Sequence, residues 1–113
     1  MEIIKEAQAR TVKPSSKTII HEYDMQDGAI SGATAEIGER YPAQGFALNQ
    51  KIKELVYVVS GEGVLLTPEG DTKISTGDVV LIDQMERFAW DGKMVLFIAT
   101  TPRFDPSQYV MVD

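Results

Sequence analysis

The sequence contains no cysteine and a single histidine, His21. Without thiols there is no disulfide, no thiolate nucleophile, no Cys-type zinc site and no Cys-ligated iron–sulfur cluster. One imidazole excludes a His-rich metal centre within a single chain. Basic residues are also scarce: 11 Lys and Arg against 17 Asp and Glu leave a net charge of −6. That balance disfavours a nucleic-acid partner, because no part of the chain supplies a compensating basic face. Long apolar runs are missing too. The longest, Met94 to Ala99 and Leu55 to Val59, fall far below the roughly 18 residues that a membrane-spanning helix needs. The opening, Met1-Glu2-Ile3-Ile4-Lys5-Glu6, lacks the basic-then-apolar order of a signal peptide. The expectation is a cytoplasmic protein with neither nucleic-acid nor membrane partner.

What is present is ordinary globular material, 43% hydrophobic and 25% charged over 113 residues. A second core would leave each half near the lower size limit for independent folding, so residues 1–113 are read as one domain. Sustained helical periodicity is absent. The best helical stretch, Ile3 to Arg10, is too short to stand alone and reads equally well as an edge strand. Turn signals recur instead, at Asp27-Gly28, Gly45, Gly61-Glu62-Gly63, Pro68 to Asp71, Gly77-Asp78 and Asp91-Gly92. Between them lie short β-branched and aromatic segments: Thr18–Tyr23, Leu55–Val59, Val64–Thr67, Val79–Ile82, Arg87–Trp90 and Met94–Thr101. Such spacing predicts an all-β sandwich or barrel. Pro102 and Pro106 punctuate a tail that is expected to run over the surface or pack on a neighbour.

Strand parity sets the candidate site. Side chains alternate with period 2, so Glu54, Val56 and Val58 share one face while Lys53, Leu55, Tyr57 and Val59 share the other. Both faces are mainly apolar, which predicts a strand inside a barrel on one side and covered on the other. The cover is expected to come partly from a two-fold partner, through packing or exchange of the N-terminal strands, making a homodimer.

Glu54-Leu55-Val56-Tyr57-Val58-Val59-Ser60-Gly61-Glu62-Gly63 resembles the end of the first cupin motif, E-x-x-Y-V-x-x-G-x-G. Thr76-Gly77-Asp78-Val79-Val80-Leu81-Ile82 resembles the opening of the second, a Gly-Asp followed by an apolar strand. The two regions lie at about 45–63 and about 77–92, in the order and at the spacing of that family. The resemblance implies a jelly-roll β-barrel, commonly dimeric, with an internal pocket. Metal-holding cupins carry an H-x-H pair just before the Glu and a His in the second motif. Counting from Glu54 puts that pair at Leu48 and Gln50, or at Ala47 and Asn49; counting from Gly77 puts Phe88 at the last His position. No imidazole stands at any of them, so no metal and no cofactor is expected.

The candidate residues each admit two readings. Glu54 on a barrel-lining strand loses hydration, which raises its pKa and suits a general acid or base. Alternatively it pairs with Lys51, Lys53, Arg40 or Arg87. Phe88 and Trp90, which share parity with Glu86, form either an aromatic wall for a flat ligand or a plug that fills the barrel. Asn49 and Gln50 replace the lost His pair: an unbroken strand points Gln50 inward, a break points Asn49 inward. Arg40 and Tyr41 precede the pocket strand, at a cavity mouth or in solvent. An enzyme needs a second proton carrier near Glu54, for which Glu86, Tyr41 and His21 are the candidates. Three functions follow: a binding module for a small polar or ring-shaped ligand, sugar-like or amine; a metal-independent isomerase, epimerase or lyase using Glu54; or a structural or regulatory dimer with a plugged barrel.

Overall fold

A computed structural model describes all residues, 1–113. Nine strands follow in order: β1 (Arg10–Ser15), β2 (Thr18–Tyr23), β3 (Ser31–Ile37), β4 (Phe46–Asn49), β5 (Lys53–Thr67), β6 (Gly70–Ser75), β7 (Val79–Ile82), β8 (Ala89–Thr101) and β9 (Tyr109–Val112). Short 3-10 turns at Glu6–Gln8 and Pro106–Gln108 are the sole helical segments, so the Ile3–Arg10 stretch holds a single 3-10 turn and meets β1 only at Arg10. No helix is long and apolar enough to cross a membrane.

Seven strands form one antiparallel sheet, ordered β1-β2-β3-β8-β5-β6 with β7 also paired to β5. Strands β4 and β9 form a second, smaller sheet. The barrel closes where the chain just before β8 bridges back to the chain around β4. Phe88 N–H donates to the Ala47 carbonyl at 2.9 Å, and Ala47 N–H donates to Phe88 at 2.8 Å. Tyr41 and Trp90 exchange a second such pair. Alternation along β5 puts Glu54, Val56 and Val58 inside and Lys53, Leu55, Tyr57 and Val59 outside. The core gathers Val56, Val58, Ala35, Ile37, Ile74, Met94 and Leu96 around that inner face.

Two expected turns prove to be kinks inside long strands. Gly61-Glu62-Gly63 lies within β5, which runs unbroken for 15 residues. Asp91-Gly92 lies within β8, opposite it: Gly63 pairs with Gly92. Turn-forming glycines are chemically the same as glycines that let two backbones approach. A register shift between Val58 and Ser60 bends β5 just before the kink. At Gly61, φ is +88°, and a Cβ would sit 2.2 Å from the Lys93 carbonyl oxygen. Gly61→Ala therefore combines a left-handed backbone penalty with a backbone clash. It should cost about 2 kcal/mol or more, read as a lowered denaturation midpoint with an unchanged denaturant slope.

The tail is likewise structural rather than superficial. Residues 103–112 cross the open end of the barrel and return as β9 against β4, pairing Asn49 with Tyr109 and Phe46 with Val112. On the outer face of β5, β7 and β8, the side chains of Leu55, Tyr57, Val59, Val79, Leu81 and Phe97 are 44–62% exposed. The N-terminal strands do not cover them. They pair within the chain on the far side of β3.

Candidate functional site

The barrel encloses an open cavity of about 540 Å³. Its inner wall carries a row of polar side chains from adjacent strands. Glu54 on β5 lies opposite Thr100 on β8, and Thr100 lies opposite Ser31 on β3. The Ser31 and Thr100 hydroxyls are 2.6 Å apart, and Ser31 Oγ also accepts from the Phe104 backbone at 3.0 Å. Tyr41 and Tyr109 bring two phenols to the same cavity. Phe88 and Trp90 line it as an edge-to-face pair with ring centroids 5.9 Å apart. They form a wall, and the barrel is not plugged.

Glu54 is buried, 8% exposed, and makes none of the ion pairs open to it on sequence. Lys53 turns outward, its Nζ 3.8 Å from Asp83. Arg87 donates to the Asp113 carbonyl. The one hydrogen bond that Glu54 receives is from Asn49 Nδ2 to Oε2, at 2.7 Å. Burial pushes the carboxyl up to about 7, and the Asn49 bond offsets part of that rise. The Tyr109 phenol is also pushed up, chiefly by burial and then by Tyr41 and Glu54 nearby. Burial raises Tyr41, and its contact with Tyr109 eases it. Both phenols stay neutral while Glu54 titrates.

Asn49, not Gln50, points inward: Asn49 is fully buried and Gln50 is exposed. The strand breaks over residues 50–52, so parity counted back from Glu54 does not carry through. Arg40 is not a cavity residue. Its guanidinium ties down its own loop, donating to the Pro42 carbonyl at 2.6 Å and the Gly45 carbonyl at 3.0 Å, over the Phe46 ring. Glu86 is exposed and caps a turn, its Oε1 accepting from Asp83 N–H at 2.7 Å. It borders a separate depression beside Met85 and Arg87. His21 is absent from the cavity wall, its Nδ1 lying 3.2 Å from Thr11 Oγ1. Of the three candidate proton carriers, only Tyr41 lies with Glu54 in the cavity.

The sequence reading missed Ser31, Thr100, Gln108 and Tyr109, which reach the site through pairings between distant parts of the chain. It also missed Arg103, the one basic side chain lining the cavity. Arg103 is anchored at the rim by a 2.8 Å bond to the Met25 carbonyl.

No family model and no curated protein matches the sequence. Solved structures do match. The nucleoside dehydratase Pac13 superposes with a TM-score of 0.88 at 15% identity, over 99% of this chain and 91% of that one. A variant of Streptomyces Pac13 with uridine gives 0.84 at 16% identity, over 96% and 88% of the two chains. An RmlC-like cupin from Shewanella frigidimarina gives 0.76 at 11% identity, over 95% and 96%. The chain has the cupin fold.

Within this cupin barrel the donor set does not fit a family-type metal. No group of three or more His, Cys, Asp or Glu side chains comes together. Where the H-x-H pair would stand, Asn49 Nδ2 is given to Glu54, and its Oδ1 accepts from Gln108 Nε2 at 2.9 Å. A cation there would face one carboxylate, with one oxygen already accepting from Asn49, and one amide oxygen already accepting from Gln108, too few groups to hold it.

Proposed function

We propose that this cupin binds a small, neutral, hydroxylated ring molecule of the sugar or nucleoside class, and that Glu54 moves a proton on it without a metal. The reaction class is that of a lyase or isomerase acting beside a carbonyl. The observation that carries this reading is the Glu54 carboxyl itself. It has a pKa of about 7 on the wall of an open cavity, beside two neutral phenols. A buried carboxyl near neutrality takes and returns a proton with little driving-force penalty. Ser31 and Thr100 offer hydroxyl partners, while Trp90 and Phe88 offer faces for a ring. The likeness to a nucleoside dehydratase supports the same class of substrate and chemistry.

Ionised Glu54 removes a proton from carbon, and Tyr41 or Tyr109 protonates the oxygen that leaves or the enolate that forms. Turnover limited by that first step rises with pH, bends near about 7 and is flat above it. A pH–rate profile that falls through this range would reject Glu54 as the base.

Trp90 is the sole tryptophan and lines the cavity, so its fluorescence reports occupancy. Titration with uridine, thymidine and methyl glycosides should give saturable quenching for at least one class. Mass spectrometry after incubation with forms of the same nucleosides and glycosides in which one sugar hydroxyl is oxidised to a carbonyl should show loss of water or isomerisation. Quenching without conversion would reduce the protein to a binding module. No quenching by any of these would remove the ligand reading.

We also propose that two copies associate through the apolar outer face of β5, β7 and β8. It is broad enough to need cover.

A further inference from the structure

Gln108 is 3% exposed, at the end of the 3-10 turn that precedes β9. Its side chain is the far end of a chain of hydrogen bonds that terminates on Glu54. The Lys51 backbone N–H donates to Gln108 Oε1 at 3.1 Å. Gln108 Nε2 donates to Asn49 Oδ1 at 2.9 Å, and Asn49 Nδ2 donates to Glu54 Oε2 at 2.7 Å. A backbone N–H can only donate, so the first link has one possible direction. Gln108 must then present its carbonyl to Lys51 and its NH₂ to Asn49. Asn49 in turn must accept from Gln108 and give its own NH₂ to Glu54. The direction set at the main chain is thus imposed on each amide along the chain.

Glu54 Oε2 receives a donor and cannot itself hold a proton toward Asn49. Oε1 makes no hydrogen bond within the protein and is not sealed off, and Glu54 lines the cavity. We infer that Gln108 is a positioning residue that assigns the transferable proton of Glu54 to Oε1, the oxygen open to the ligand. This deepens the acid–base reading of Glu54 and rests on it. Without that fixed direction Asn49 could turn its amide round, accept from Glu54, and draw the proton onto the wrong oxygen. The Tyr109 phenol on β9 lies near Glu54, with the Tyr41 phenol ahead of β4 beside it, and the Thr100 hydroxyl on the neighbouring β8 lines the same cavity. Glu22, Asp24 and Arg103 line the same cavity.

The test is made on the full chain without ligand, so that it stands apart from whether any ligand binds. Carbon-13 NMR of the Glu54 carboxyl gives its titration midpoint, and nitrogen-15 NMR follows the Asn49 side-chain amide. In the wild-type chain the Asn49 NH₂ signals should move in step with the Glu54 titration. Gln108→Met removes both ends of the amide. Gln108→Glu still accepts from Lys51 but can give nothing to Asn49, forcing its amide round. In Gln108→Glu the Glu54 midpoint should rise by about one pH unit or more, because its carboxylate loses the Asn49 donor and gains a like charge nearby. Gln108→Met frees the Asn49 amide without turning it, so there the midpoint should rise by less. The Asn49 response should shrink or reverse. Wild-type Asn49 signals that ignore the titration would overturn the inference. So would an unchanged midpoint in Gln108→Glu or, if that variant does not fold, an Asn49 response in Gln108→Met identical to that of the wild-type chain. Absence of any ligand, with these shifts intact, would instead count against the function proposed for the cavity.

Discussion

Glu54→Gln is expected to make the protein more stable above neutral pH while cutting any turnover a hundredfold or more. The stability half follows from linkage. The folded carboxyl titrates at about 7, against an ordinary value of 4.5. Below about 4.5 the group is protonated in both states and costs nothing. As pH rises, the unfolded chain releases the proton first, so folding becomes progressively less favourable until the folded group ionises too. Above about 7 the loss is complete, and amounts to about 3 kcal/mol. A glutamine keeps the shape, still accepts from Asn49, and has no proton to lose. The variant's stability should therefore lack the wild-type decline between pH 4.5 and 7, and denaturant midpoints at pH 5 and pH 8 measure the difference. The activity half follows from the loss of the base, for which about 10²- to 10⁴-fold is usual. A buried carboxyl that costs stability at its own working pH is better explained by use than by packing. If Glu54→Gln instead unfolds more readily at pH 8 than the wild-type chain, the carboxyl is a structural anchor and the reading fails.

The sequence made this residue legible because its cause is local. Period-2 alternation over Lys53–Val59 places Glu54 inside with Val56 and Val58, whatever the rest of the chain does. Phe88 and Trp90 were legible for the same reason, being two apart at the start of a strand. Their role was not: plug or wall depends on how the barrel closes, and it closes through backbone bridges from Tyr41 and Ala47 to Trp90 and Phe88, pairs distant in sequence. Asn49 against Gln50 turned on a three-residue break that no residue type advertises. The two glycine kinks read as turns because a turn and a close strand approach both call for a residue without a side chain. The tail misled in another way. Pro102 and Pro106 signal an irregular path, and the path is irregular, yet it carries Arg103, Gln108 and Tyr109 into the cavity region. Ser31 and Thr100 are unremarkable in sequence, and become a polar row with Glu54 only through the β3–β8–β5 order. Parity along one strand is written in neighbouring residues; the meeting of strands that are distant in sequence is not.

Light scattering at micromolar concentration is expected to give twice the 12.5 kDa mass of one chain. The argument lies in the rows that cross the outer face. Leu55 on β5 sits opposite Leu81 on β7 and Ala99 on β8; Tyr57 sits opposite Val79 and Phe97. Val59 extends the patch at the bulge. Three adjacent strands thus present a continuous apolar surface with no strand, loop or helix of the chain over it. Single exposed apolar residues are common, but a contiguous patch of this kind on a barrel is the mark of an interface. A second copy suits it best because the patch is nearly free of charge, whereas the rest of a chain at net −6 would repel its twin. Tyr57→Asp combined with Phe97→Asp puts two carboxylates at the centre of each patch, hence four in the assembled pair. That should return the mass to one chain. The inward residues Val56, Val58 and Leu96 are untouched, so the β signature in circular dichroism should remain. A wild-type mass of one chain would show instead that this face stands bare in solution or is kept for a different protein.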